Sequence, residues 1–64
     1  MIEIDLLNVI HRRDNDNFYC ELIRLFLKAD VRYFHLLSKS FPITAKVVKH
    51  YKETGEVLEG LPYE

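Results

Sequence analysis

The chain has 64 residues, of which 48% are apolar and 30% are charged, and its formal net charge is -1 at pH 7. This composition excludes intrinsic disorder, and the length predicts one domain, residues 1–64, with a small core. The single cysteine excludes an intramolecular disulfide, and short apolar runs exclude a membrane span, so we expect a soluble protein of the reducing cytoplasm without a signal peptide.

The first predicted element is a helix over Ile2 to Arg13. Apolar residues recur there at helical spacing, and the basic pair Arg12-Arg13 suits a helix C-terminus. The polar cluster Asp14-Asn15-Asp16-Asn17 predicts a turn, in which Asp16 or Asn17 can cap the next helix. This cluster lacks the later glycine and glutamate of a calcium loop, so we predict no calcium site.

The second stretch, Phe18 to Lys39, has helical spacing with apolar residues on most of its circumference. Two geometries account for this pattern. Either one unbroken helix is covered by a partner, or the helix breaks at Asp30, whose side chain then caps a second helix. The unbroken case predicts a homodimer through the helix around Phe18–Lys39, because a domain of this size cannot cover such a helix alone.

A sharp break is predicted next, because the ring of Pro42 disfavours helical geometry at Phe41 and ends the preceding helix at about Ser40. The following helix begins with Pro42 in its first turn or with Thr44 as the side-chain cap. Gly55 predicts a left-handed C-terminal cap.

The last helix has two distinct faces when its residues are placed at 100° intervals. The inward face is predicted to carry Thr44, Val47, Val48 and Tyr51. The outward face is predicted to carry Ala45, Lys46, Lys49, His50 and Glu53.

The net charge hides a basic block in the middle of the chain. Residues 24–52 contain seven lysines and arginines but only one acidic residue, Asp30, whereas both ends are acidic. Such a cluster is the footprint of phosphate binding. The alternative is that these cations only solvate exposed helix faces.

The tail after Gly55 loses helical spacing but is too apolar to be wholly free. We expect it to pack back on the core, with a short strand or wing as the alternative. The apolar tail residues are Val57, Leu58, Leu61 and Tyr63.

No metal, cofactor or catalytic site is predicted. The soft-metal candidates are His11, Cys20, His35 and His50, and no pair of them has the short spacing of a structural zinc site. Cys20 lies in an apolar helical pattern, which is typical of a small buried side chain. We therefore do not expect an enzyme.

The segment Val31–Gly55 resembles helix-turn-helix DNA-binding domains of phage and mobile-element regulators and of homeodomain-like transposases. Their three-point pattern of a small residue, a turn residue four later and a valine or isoleucine six later corresponds to Leu37, Phe41 and Val47. Leu37 and Phe41 are larger than the usual alanine and glycine, which implies a wider approach of the two helices.

Together these features predict an all-α domain of three or four short helices, with a helix-turn-helix and a short non-helical tail. The resemblance implies a small transcriptional regulator that binds double-stranded DNA, with the outward residues of the last helix in the major groove. Phosphates would then be held by Arg24, Lys28, Arg32 and Lys39. The alternative is a protein-interaction module, an inhibitor or adaptor that docks a larger partner through apolar helix surface.

Overall fold

The computed structural model describes residues 1–13 and 16–64, which form four α-helices and a non-helical tail. The helices are α1 (Ile2–Ile10), α2 (Phe18–Lys28), α3 (Val31–Ser40) and α4 (Pro42–Thr54). No strand occurs in these residues, which confirms the predicted all-α class. None of the described helices is long and apolar enough to cross a membrane.

Helix α1 ends three residues earlier than the sequence pattern predicted, at Ile10 rather than Arg13. Arg12 adopts a left-handed backbone conformation with φ of 54°. The amide of Arg13 donates to the carbonyl of Asn8 at 2.9 Å, and that of Arg12 donates to the carbonyl of Val9 at 3.1 Å. The reversed backbone thus provides hydrogen-bond donors for the last carbonyls of the helix. The basic pair therefore lies beyond α1 rather than in it.

The turn after α1 contains the predicted cap of α2. The side chain of Asn17 accepts a hydrogen bond from the amide of Cys20 at 2.8 Å, which confirms one of the two predicted capping residues. Asp14 and Asn15, the first half of the polar cluster, lie outside the described residues.

The long apolar stretch is broken, as the second of the two predicted geometries required. Ala29 is extended, with ψ of 139°, and the carboxylate of Asp30 accepts a hydrogen bond from the amide of Tyr33 at 2.9 Å. The unbroken helix is therefore wrong, because the Asp30 side chain offers the first amides of α3 a better partner than continued helix would. The homodimer stays a prediction, but the unbroken helix no longer supports it.

The corner between α3 and α4 follows the prediction at Pro42, which occupies the first turn of α4 directly after Phe41. Gly55 ends this helix in the left-handed conformation, with φ of 78°, as predicted. Thr44 is not the cap, since it lies inside the first turn and is fully buried.

The tail supplies the cap of α4 instead. The carboxylate of Glu64 accepts hydrogen bonds from the amides of Ile43 and Thr44, at 2.6 and 3.0 Å, and from the hydroxyl of Thr44 at 2.9 Å. An anionic acceptor suits this end of a helix, where amides have no partner within the helix and the backbone dipole is positive.

The core lies where α1, α2 and α4 meet. Its most buried large side chains are Ile2, Leu6, Ile23, Phe26, Val47 and Val48. Thr44, Val47 and Val48 are buried and Tyr51 is half-buried, which confirms the predicted inward face of α4. Helix α3 has no fully buried residue, so it covers the core from one side only.

A buried carboxylate, which the sequence pattern did not single out, joins three parts of the chain. Asp5 is 4% exposed and accepts hydrogen bonds from the side-chain amide of Asn17 at 3.0 Å and from the hydroxyl of Tyr63 at 2.6 Å. The bond to Asp5 is the main reason that the pKa of Tyr63 is raised to about 12. Cys20 is buried beside Asp5, and burial, followed by the Asp5 charge, raises the pKa of its thiol.

The tail packs back on the core, as expected, and does not form the alternative strand. Val57, Leu58 and Leu61 are half-buried against the core residues. The ring of Tyr63 lies 4.2 Å from that of Tyr19, measured between centroids. The tail therefore returns to both α1 and α4 and places Glu64 at the start of the latter.

Replacing Glu64 by alanine is expected to lower the free energy of unfolding by about 0.5–2 kcal/mol, the usual range for loss of a helix cap. The matched control is Glu59→Ala, which removes the same exposed carboxylate from the same tail away from the α4 amides. Urea denaturation followed by circular dichroism measures both variants. Equal unfolding free energies for the two variants would show that the Glu64 cap contributes nothing.

Candidate nucleic-acid interface

The facing sides of α3 and α4 form an open groove of about 870 Å³, referred to below as the cationic groove. The short corner at Phe41 and Pro42 brings the two helices side by side, so that residues of both helices, and of the turn before α3, line the same surface. Those residues are Ala29, Asp30, Val31, Phe34, His35, Ser38, Pro42, Ala45, Lys46, Lys49, Lys52 and Glu53.

The charge of this groove comes mainly from α4. Lys46, Lys49 and Lys52 are all exposed, and none of them is ion-paired within residues 1–13 and 16–64. The groove also contains two carboxylates, and one of these, that of Asp30, already accepts a hydrogen bond from an α3 amide. The surface is therefore cationic, with three ammonium groups available to an anionic ligand.

The floor of the cationic groove is aromatic. The ammonium of Lys52 lies 5.6 Å from the centroid of the Phe34 ring, a distance that allows a cation–π interaction. Phe34 in turn packs edge-on against Phe26 of the core, with 5.1 Å between centroids. This contact positions Lys52 at the edge of the groove and ties the groove to the core.

Of the five residues predicted on the outward face of α4, Lys46, Lys49 and Glu53 are exposed and line the groove. Ala45 was predicted to face outward and is instead 6% exposed. It lies at the boundary between the two faces of the helix, and its short side chain belongs to the buried core cluster.

His50 was also predicted on the outward face, and it does not line the groove. Its imidazole is half-buried and its Nε2 lies 3.9 Å from a carboxylate oxygen of Glu56. Glu56 lies just beyond the end of α4, so a helical wheel drawn for α4 alone could not show this contact.

The four cations predicted to hold phosphates separate into two groups. Arg32 and Lys39 are exposed on α3, and helical spacing places them on one stripe with His35, which lines the groove. Arg24 and Lys28 lie on α2, away from the cationic groove, and the Arg24 guanidinium is paired with the carboxylate of Glu21. Arg32 and Lys39 therefore lie on the outer side of α3, beside the groove rather than in its lining, and the α2 pair lies outside the groove.

Lys52 is a cation that lines the groove but was not among the residues predicted from the sequence to bind DNA. The signal was present, because Lys52 follows Lys49 by three residues and so lies on an adjoining strip of the same helix. The helical wheel did not single out Lys52, because its position is close to the inward face. Its ammonium lies at the groove edge through its contact with the Phe34 ring.

Exposed ammonium groups on one helix face can contact phosphates or donate to guanine, and a nearby carboxylate can accept from cytosine. Within the described residues, no group of three or more His, Cys, Asp and Glu side chains could hold a metal ion. No protein-family model, curated protein or solved structure matches this chain.

Proposed function

We propose that this protein is a small transcriptional regulator that binds double-stranded DNA through α3 and α4, which act as a helix-turn-helix. The observation that carries the proposal is the placement of Lys46, Lys49 and Lys52, exposed and without ion pairs in the described part of the chain, along one open groove. Phosphate binding requires unpaired cations on one face, and this groove provides them although the chain as a whole has a formal net charge of -1.

In this proposal α4 enters the major groove with its exposed side toward the bases. Lys46 and Lys49 donate to phosphates or to guanine, and Glu53 accepts from cytosine. Arg32 and Lys39, on the outer stripe of α3, hold the flanking phosphates. Phosphate contacts of this kind set the position of a protein on the duplex, whereas base contacts provide its specificity.

The residues that the structure places elsewhere have smaller roles. Arg24 and Lys28 act only through long-range attraction, which salt screens beyond about 8–10 Å. His50 lies at the end of α4 and can reach only a phosphate at the edge of the interface. Ala45 has no contact with DNA, because its side chain is buried.

The test is the binding of a labelled random duplex by the wild-type chain over a series of salt concentrations, followed by fluorescence anisotropy. If about four to six phosphates are neutralised, log affinity falls against log salt with a slope of roughly -4 to -5. The double variant Lys46→Ala with Lys49→Ala is expected to weaken binding to all sequences and to reduce the magnitude of this slope by about 2.

The matched control is Arg12→Gly with Arg13→Ala, which removes two cations from the turn after α1. Glycine suits the left-handed backbone at position 12, so this variant keeps its fold. We expect its salt dependence to match that of the wild type. An equal loss of DNA affinity in both double variants would indicate a response to net charge rather than a specific interface. Absence of DNA binding by the folded wild type at low salt would exclude DNA as the ligand.

A further inference from the structure

A second open groove, of about 560 Å³, lies between α2 and α3 and has a different chemistry. The two helices meet at the contact between Phe26 and Phe34, and α3 otherwise packs mainly on α4. The sides and floor of this apolar groove are formed by Leu25, Ala29, Tyr33, Leu36, Leu37 and Phe41. It shares no aromatic or aliphatic wall residue with the cationic groove except Ala29.

The large side chains of the apolar groove remain in contact with solvent in the folded monomer. Leu25 is 53% exposed, Tyr33 is 57% exposed and Leu36 is 47% exposed. Phe18, which is 64% exposed, extends the surface beyond Phe41, with 6.1 Å between the two ring centroids. A contiguous apolar surface of this kind marks an interaction site, and a channel between two helices has the shape that receives a third helix.

The charges around the apolar groove are predominantly positive. Lys28 lines it on the α2 side, and helical spacing places Arg32 and Lys39 beside Leu36 on the α3 side. None of these three cations is ion-paired within residues 1–13 and 16–64.

The acidic groups near this groove already have partners. The carboxylate of Glu21 is paired with Arg24, and that of Asp30, which lines one end of the groove, accepts a hydrogen bond from the amide of Tyr33. The apolar floor is thus flanked by cations that have no acidic partner in the described chain, and a ligand that fits both features carries acidic groups beside its apolar ones.

We propose that the groove between α2 and α3 docks an amphipathic helix of another protein, with apolar side chains at i, i+3, i+4 and i+7 and an acidic polar face. The apolar side chains bury Leu25, Tyr33 and Leu36, while the acidic groups meet Lys28, Arg32 and Lys39. This docking function does not need the lysines of α4. It does use Arg32 and Lys39, so an acidic helix and the flanking phosphates of a duplex would compete for these two side chains.

A second copy of this chain fits the same groove less well. In a symmetric pair the same surface meets itself, so Lys28, Arg32 and Lys39 of one copy face a surface that carries the same three cations. Like charges brought together at an interface oppose association, whereas an acidic helix turns each of these cations into a favourable contact.

The probes that test this are two synthetic helical peptides with the same leucines at i, i+3, i+4 and i+7. One peptide carries glutamate and the other lysine at the flanking positions. Each is titrated into the full-length ¹⁵N-labelled protein, and amide chemical shifts report the site. We expect the glutamate peptide to shift the resonances of Leu25, Tyr33 and Leu36 and to bind at least about tenfold more tightly, because each of the three cations attracts a glutamate of this peptide and repels a lysine of the other.

Two variants make the test specific to the groove. Leu36→Asp, at an exposed position, is expected to lower the affinity of the protein for the glutamate peptide by about tenfold or more, because it places a carboxylate among the apolar contacts. The matched control is Ile4→Asp, which makes the same kind of change at an exposed apolar residue of α1 and should leave binding unchanged. The pair Lys28→Glu with Lys39→Glu is expected to reverse the preference between the two peptides.

Three results would overturn the proposal. Shifts from neither peptide would show that the groove does not receive a helix. Equal binding of the glutamate and lysine peptides would show that the cations do not select an acidic partner. Groove resonances that move with protein concentration, without peptide, would identify a second copy as the occupant.

Discussion

Val47→Asp is expected to abolish the cooperative thermal transition of this domain and most of its helical circular dichroism. Val47 is fully buried on the inward face of α4. An unpaired carboxylate there costs several kcal/mol, whereas a domain of this size with a single cysteine has a total stability of about 5 kcal/mol or less.

The matched control for this substitution is Lys46→Asp, one residue earlier in the same helix and exposed. It introduces the same side chain at a neighbouring position along α4 and is expected to keep the native spectrum. The expected loss of unfolding free energy is at most about 1 kcal/mol, from helix propensity. A native melt for Val47→Asp would show that the inward face of α4 is assigned wrongly.

Phe26→Ala is expected to lower the free energy of unfolding by about 3–5 kcal/mol, which leaves a large part of the protein unfolded at 25 °C. Phe26 is fully buried, belongs to the core cluster and packs against Phe34 of α3. Truncation removes this packing and leaves a cavity that the surrounding helices can fill only in part.

The same substitution at Phe18 provides the control, because Phe18 lies on the same helix as Phe26 but is largely exposed. Phe18→Ala removes edge contacts with Tyr19 and Phe41 and is expected to cost no more than about 1.5 kcal/mol. Urea denaturation gives both values, and a similar cost for Phe18→Ala and Phe26→Ala would contradict the location of the core.

Several features of the fold follow from neighbouring residues alone. Pro42 restricts the backbone of Phe41, Asn17 caps the helix that begins at Phe18, and Gly55 adopts the left-handed conformation that ends α4. Each effect acts over a few residues, so a single sequence is sufficient to predict it. The periodicity of α4 likewise predicted that Val47 and its neighbours face the core.

Other predictions depended on a choice between local effects that the sequence left balanced. The stretch from Phe18 to Lys39 has helical spacing throughout, and Asp30 can either remain on a helix surface or cap a new helix. The structure shows the cap, and after the break α3 packs mainly on α4. As a result the apolar side chains that suggested a covered long helix lie on two helices around a groove.

The sequence by itself therefore determined the helical class, the positions of the helix breaks at Pro42 and Gly55, and the inward face of α4, because these depend on backbone restrictions and on a regular period. Only the tertiary structure decided that Asp5 is buried against Tyr63, that Glu64 caps α4 and that Ala45 is covered. The Asp5 and Glu64 contacts join residues 58 and 20 positions apart. The burial of Ala45 depends on how the helices pack together. Contacts of these kinds form only when packing brings distant segments together, and no local sequence pattern specifies them.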